Sequence, residues 1–129
     1  MNPFELLLVS LGGGVGAALR FWLDGLVKAR VRGTAPGGFP LGTFVINVSG
    51  SLVLGVLTGL GESGALGPSM VAVLGTGMMG GYTTFSTASV ETVQLLRSGE
   101  TRTAVLNGLG MLVVSVGAAA LGLLIGRNT

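Results

Sequence analysis

The chain has 129 residues, of which 49% are hydrophobic and only 9% are charged, with a net charge of +2. A soluble domain carries roughly 25% charged residues, so this chain cannot cover itself toward water and belongs in a bilayer. The lack of cysteine and histidine excludes disulfides, thiolate metal sites and the commonest acid–base side chain. A net charge this small, without Lys/Arg clustered among aromatics, excludes nucleic acid as a partner.

Four apolar stretches reach the ~20 residues that a spanning helix needs, near residues 4–26, 41–61, 68–96 and 103–126. The expected fold is therefore an all-α membrane protein, one transmembrane domain of four helices. The first stretch is read as a span and not a cleaved leader, since no basic segment precedes it and no small-x-small site ends it. Arg20 is the one charge well inside it. That side chain either snorkels to the interface or acts as a structural donor tying helix carbonyls together across an interface.

The loop from Lys28 to Pro40 carries Lys28, Arg30 and Arg32 before a Gly/Pro-rich piece. The second span, GTFVINVSGSLVLG, contains Asn47, with Thr43 one turn before and Ser51 one turn after. An amide offers two N–H donors and an acceptor oxygen. Asn47 can serve an interhelical hydrogen bond, or it can point a donor at a permeating anion; the polar stripe favours a pathway.

The third span holds the stretch GTGMMGGYTTFSTASVE. Gly80 and Gly81 each cost about 1 kcal/mol against alanine inside a helix. The stretch predicts a helix that breaks over Gly80–Thr83 and restarts near Phe85. In lipid, such a break persists only where protein or a water-filled cavity satisfies the freed backbone. Ser86, Thr87 and Ser89 follow; intramembrane hydroxyls commonly bond back to the preceding turn. Glu91 is expected at the interface. In the fourth span Asn107, Met111 and Ser115 recur on one face, and the methionines read as core filler.

With four spans, the first and third connections share a side. They carry Lys28, Arg30, Arg32, Arg97 and Arg102, against Arg127 alone on the other. The positive-inside rule places the basic loops in the cytoplasm of an inner (plasma) membrane and both termini outside. The glycine faces Gly12-Gly13-Gly14-x-Gly16 and Gly55-x-x-x-Gly59 are expected to seek partner helices and hence an oligomer. No enzyme site emerges, because there is no nucleophile–base pair and no phosphate-binding loop.

Three motifs in order, GGGVGAALRFWL, GTFVINVSGSLVLG and GMMGGYTTFSTASVET, make nearly the whole chain similar to the CrcB/Fluc family of small fluoride channels. The resemblance implies passive fluoride export through narrow pores in an antiparallel dimer, formed with itself or with a paralogous subunit. It also implies a structural sodium ion at the dimer interface, held by the main-chain carbonyls of Gly80 and Thr83. By resemblance Asn47, Phe85 and Ser115 line the fluoride pathway, the hydroxyls of Thr84, Ser86 and Thr87 lie along it, and Arg20 is the structural arginine of the first motif. The chain departs from the family at Ala88, where a second pore phenylalanine is expected. It departs again at Asn107, where an aromatic hydroxyl is usual, and at Met111, where serine is usual. The lopsided Lys/Arg distribution and these departures fit one subunit of a heterodimer. The rival readings are a non-conducting structural or assembly subunit and a small four-span cation or drug exporter; the exporter would want an intramembrane carboxylate.

Overall fold

A computed structural model describes residues 2–30 and 40–129. Arg32 and most of the first loop lie outside the described residues, as does that part of the charge argument. Helix α1 runs Pro3–Arg30 and α2 Leu41–Glu62. Helix α3 covers residues 68–82: an α-turn at Pro68–Val71, a wider π-wound stretch at Ala72–Met79, and a last turn at Gly80–Tyr82. Helix α4 is Phe85–Arg97. Helix α5, Thr101–Arg127, contains a second π-wound stretch at Leu106–Gly110.

Helices α1, α2 and α5 are each long and apolar enough to cross a membrane. Helix α4 has 13 residues, short of the ~20 that a crossing requires, so it does not reach across by itself. Pro68 opens α3 in the first turn, where its missing N–H costs nothing. The two short connections turn on Gly64 (φ 82°) and Gly99 (φ 83°), a backbone region that side chains disfavour.

The helix break is displaced from its expected place. Gly80, Gly81 and Tyr82 remain helical, and the chain is extended at Thr83 (φ −80°, ψ 156°) and Thr84 (φ −145°, ψ 122°). The restart at Phe85 falls where the sequence places it. Gly81 serves a different purpose in the last turn of α3, close packing against the main chain of Gly13.

Helices α1 and α3 run parallel, as do α2 and α5. A Cβ on Gly77 would stand 2.6 Å from the Val9 carbonyl oxygen, and one on Gly12 2.9 Å from that of Val73. In the other pair, a Cβ on Gly59 would stand 2.7 Å from Arg127 N, and one on Gly126 2.8 Å from Leu60 N. Only hydrogen fits at such separations, which is how helices gain dispersion contact in lipid. This corrects the expectation for the glycine faces: Gly12, Gly13, Gly16, Gly55 and Gly59 meet helices of their own chain, leaving Gly14 in open space.

Ser69 Oγ donates to Glu5 at 2.5 Å, and Arg127 pairs with Glu62 at 3.0 Å. Both chain ends therefore gather at the connection between α2 and α3. Lys28, paired with Asp24 at 2.9 Å, stands at the opposite end. The periphery is apolar, with Phe21 84% and Trp22 64% exposed, as a lipid-facing surface requires. The tightest interior residues are Ile46, Ala104 and Asn107.

Candidate functional site

The break between α3 and α4 organises the site. A continuous helix would give the Gly80 carbonyl the N–H of Thr84. That N–H donates instead to Asn47 Oδ1 at 2.8 Å, while Asn47 Nδ2 donates to the Thr84 carbonyl, also at 2.8 Å. The amide of α2 thus replaces the helical partners the break removes. Asn47 Nδ2 further reaches Met111 Sδ at 3.0 Å. The interhelical hydrogen-bond reading of Asn47 is realised, and one amide hydrogen remains that meets only a thioether.

Thr84 caps α4: its Oγ1 accepts the Thr87 N–H at 3.2 Å, satisfying an orphan donor of the first turn. The hydroxyls of Ser86 and Thr87 lie 3.3 and 3.2 Å from the same oxygen. On the other side of the break, Thr83 Oγ1 donates to the Met79 carbonyl at 3.0 Å. Ser49 Oγ donates to the Ile46 carbonyl and stands 3.0 Å from Tyr82 Oη, so the tyrosine hydroxyl is the donor between them. This bond and the close fit of Gly50 against the Tyr82 ring and Thr83 hold the end of α3 on α2.

A cleft of about 560 Å³ opens between α2, the break, α4 and α5. Asn47 and Ser51 line it from α2, Phe85, Ala88, Ser89 and Thr92 from α4, and Asn107, Met111 and Ser115 from α5. Thr83 and Thr84 contribute from the break. Among the described residues, no charged side chain lines it. The Ser115 hydroxyl and Asn107 Oδ1 are buried without a hydrogen-bond partner.

The structure therefore brings Asn47, Thr83, Thr84, Phe85 and Ser115 together around one cleft. Phe85 stands at its rim, 86% exposed. Ser86 and Thr87 are exposed and are not among the lining residues. Gly80 is exposed, with open space around it. Arg20 is on α1, away from the cleft, and its buried Nε has no partner.

Sequence reasoning passes over Thr92. Asn107, fully buried, donates through Nδ2 to Thr92 Oγ1 at 2.8 Å, and Thr92 donates to the Ala88 carbonyl at 2.8 Å. The available signal is helical spacing: Phe85, Ala88, Ser89 and Thr92 share one face of α4. Thr43 leaves the expected stripe. It is 3% exposed and lies outside the cleft lining.

Amide and hydroxyl donors beside an aromatic ring, with no charge among the described lining residues, suit a small anion held in passing. Comparison with known proteins agrees in class. Residues 7–123 match the model of the family described as CrcB-like protein, Camphor Resistance (CrcB). The chain is 50% identical to the fluoride-specific ion channel FluC 1 of Leifsonia xyli subsp. xyli, over 98% of this chain and 89% of that one. It is 47% identical to the fluoride-specific ion channel FluC of Novosphingobium aromaticivorans, over 93% and 94% of the two chains. It is 46% identical to FluC 2 of Cutibacterium acnes, over 95% and 98%. With matches that span almost its whole length, the chain belongs to the CrcB family.

Proposed function

We propose that this protein is a fluoride-selective channel that lets cytoplasmic fluoride leave the cell passively, lowering fluoride toxicity. One observation carries the reading: among the described residues, the cleft gathers the Asn47 amide, the unpaired Ser115 hydroxyl and Phe85 without any charged residue. Fluoride holds its water tightly, so a pore must offer several strong donors at once. A fixed cation would trap the ion, and none of the described lining residues carries one. No bond is made or broken, so the protein is not an enzyme. The names of relatives that cover nearly the whole chain support the same conclusion.

The cleft is open along one side, and Phe85 projects from it. A second, oppositely inserted subunit completes the pore in this proposal. Five basic residues on one side against one on the other favour a fixed insertion of this chain, and so a paralogous partner over a second copy. The basic loops then face the cytoplasm and both termini face out.

The residues at the break fit the sodium ion that the family resemblance implies. A hard cation takes oxygen ligands, and the Gly80 carbonyl has lost its helical donor to Asn47. Gly80 and Thr83 would hold the ion through their main-chain oxygens, and the ion would supply charge that fastens two subunits. The exporter reading is disfavoured because Glu91, the carboxylate it would use, is absent from the cleft lining.

The test is a fluoride-efflux assay in liposomes, with this chain alone and with a paralogous subunit. Fluoride release above protein-free vesicles supports the channel. Release that requires the second subunit supports the heterodimer, and full release by this chain alone removes it.

A further inference from the structure

Asn47 has little left to offer an ion. Its Oδ1 accepts the Thr84 N–H, and one Nδ2 hydrogen is spent on the Thr84 carbonyl. The remaining hydrogen is met by Met111 Sδ at 3.0 Å. Met111 is 7% exposed and lines the cleft. One helical turn further along the same face, the Ser115 hydroxyl is buried without a partner.

A thioether is a weak acceptor. Its side chain is unbranched, with three rotatable bonds, and repacks easily. We infer that Met111 is a displaceable ligand of Asn47 that sets which anions the path accepts. The sulfur covers the one free amide hydrogen until an anion that accepts more strongly takes its place. This inference rests on the channel reading above and names the residue that governs selectivity within it.

The consequence differs between halides. Fluoride is compact and the strongest acceptor among them, so it gains more from the amide hydrogen than sulfur loses. Chloride is larger and accepts weakly, so it gains little by the exchange. An ion that moves on to Ser115 leaves the hydrogen to be covered again by sulfur. The bland alternative is that Met111 only fills an apolar gap, in which case its sulfur is irrelevant to the ion.

The experiment uses the full-length chain reconstituted in liposomes, in whichever assembly conducts, with carbon-13 on the methionine methyl groups. Met111→Leu identifies the Met111 signal and also serves as a flux variant of similar volume. Fluoride should shift the Met111 methyl resonance, chloride at equal concentration should not, and Met70, Met78 and Met79 should stay in place. In efflux, Met111→Leu should lower the half-saturating fluoride concentration by roughly two- to ten-fold, the factor one neutral hydrogen bond supplies. It should also raise chloride permeability relative to fluoride. A wild-type channel that conducts fluoride while its Met111 methyl stays still overturns the inference and leaves the channel reading standing. So does a Met111→Leu variant with wild-type half-saturation and selectivity. A wild-type assembly that passes no fluoride overturns both. Should Met111→Leu fail to assemble, the wild-type titration still decides, with the other methionines assigned by their own substitution.

Discussion

The side-chain amide of Asn47 pairs with both main-chain groups of Thr84, accepting its N–H and donating to its carbonyl, each at 2.8 Å. A residue of α2 thereby stands in for the helix that stops at Tyr82. Unpaired backbone groups cost several kcal/mol each in hydrocarbon, so this pairing is what makes a break tolerable at that depth. The same amide is the donor proposed for the ion. In this proposal structure and conduction share one side chain.

Asn47→Asp keeps the acceptor for the Thr84 N–H and loses both donors. The Thr84 carbonyl is then left facing a carboxylate, a loss of about 1–3 kcal/mol. The added negative charge repels an anion from the cleft. Fluoride efflux should vanish, and thermal unfolding in detergent should move to lower temperature. Wild-type flux from this variant would contradict the assigned role.

Ser115→Ala separates conduction from stability. The hydroxyl is buried with no hydrogen-bond partner among the described residues, so its removal should leave stability unchanged or slightly raised. A hydrogen bond to a charged group is worth about 1.5–3 kcal/mol, so fluoride flux should fall about ten-fold or more. Comparing melting curves with efflux rates checks both halves.

Thr84 supplies the cap of α4 through its bond to the Thr87 N–H. Thr84→Ala should cost about 1 kcal/mol of stability, within the usual range for a lost cap. Thr84→Ser keeps the oxygen and should recover most of that loss. Equal melting temperatures for the two variants would show that the cap contributes nothing.

The parallel pair α2/α5 predicts position-specific effects along one helix. A Cβ on Gly126 would approach Leu60 N to 2.8 Å, whereas Gly117 has nothing within 4 Å. Gly126→Val should force the helices apart and cost about 1–3 kcal/mol, as overpacking does. Gly117→Ala should be neutral or slightly stabilising, since alanine is the better helix former. Denaturation of the two variants side by side tests the packing directly.

The four apolar runs are legible in the sequence because lipid demands length and forbids charge. The existence of the break is legible too, from glycines and β-branched residues inside one run. Its position is not, because Thr84 is held by Asn47, 37 residues earlier, and no local pattern encodes that pairing. Gly81 misleads for a physical reason: it faces the main chain of Gly13, so it is there for contact and not for flexibility. Gly55 and Gly59 mislead in the same way, because small residues look alike whether they face a partner chain or a helix of their own. The π-wound turns at Ala72–Met79 and Leu106–Gly110 leave no signature either. Asn47, Met111 and Ser115 can be picked out by residue type and spacing. That a thioether covers the amide is visible only once the helices are packed.

The most direct measurement follows fluoride with a selective electrode as it leaves liposomes that contain this chain, alone and with an oppositely inserted paralogue. Rapid fluoride release with chloride retained, abolished by Asn47→Asp, is the predicted result. Release no faster than from protein-free vesicles in both preparations would contradict the account.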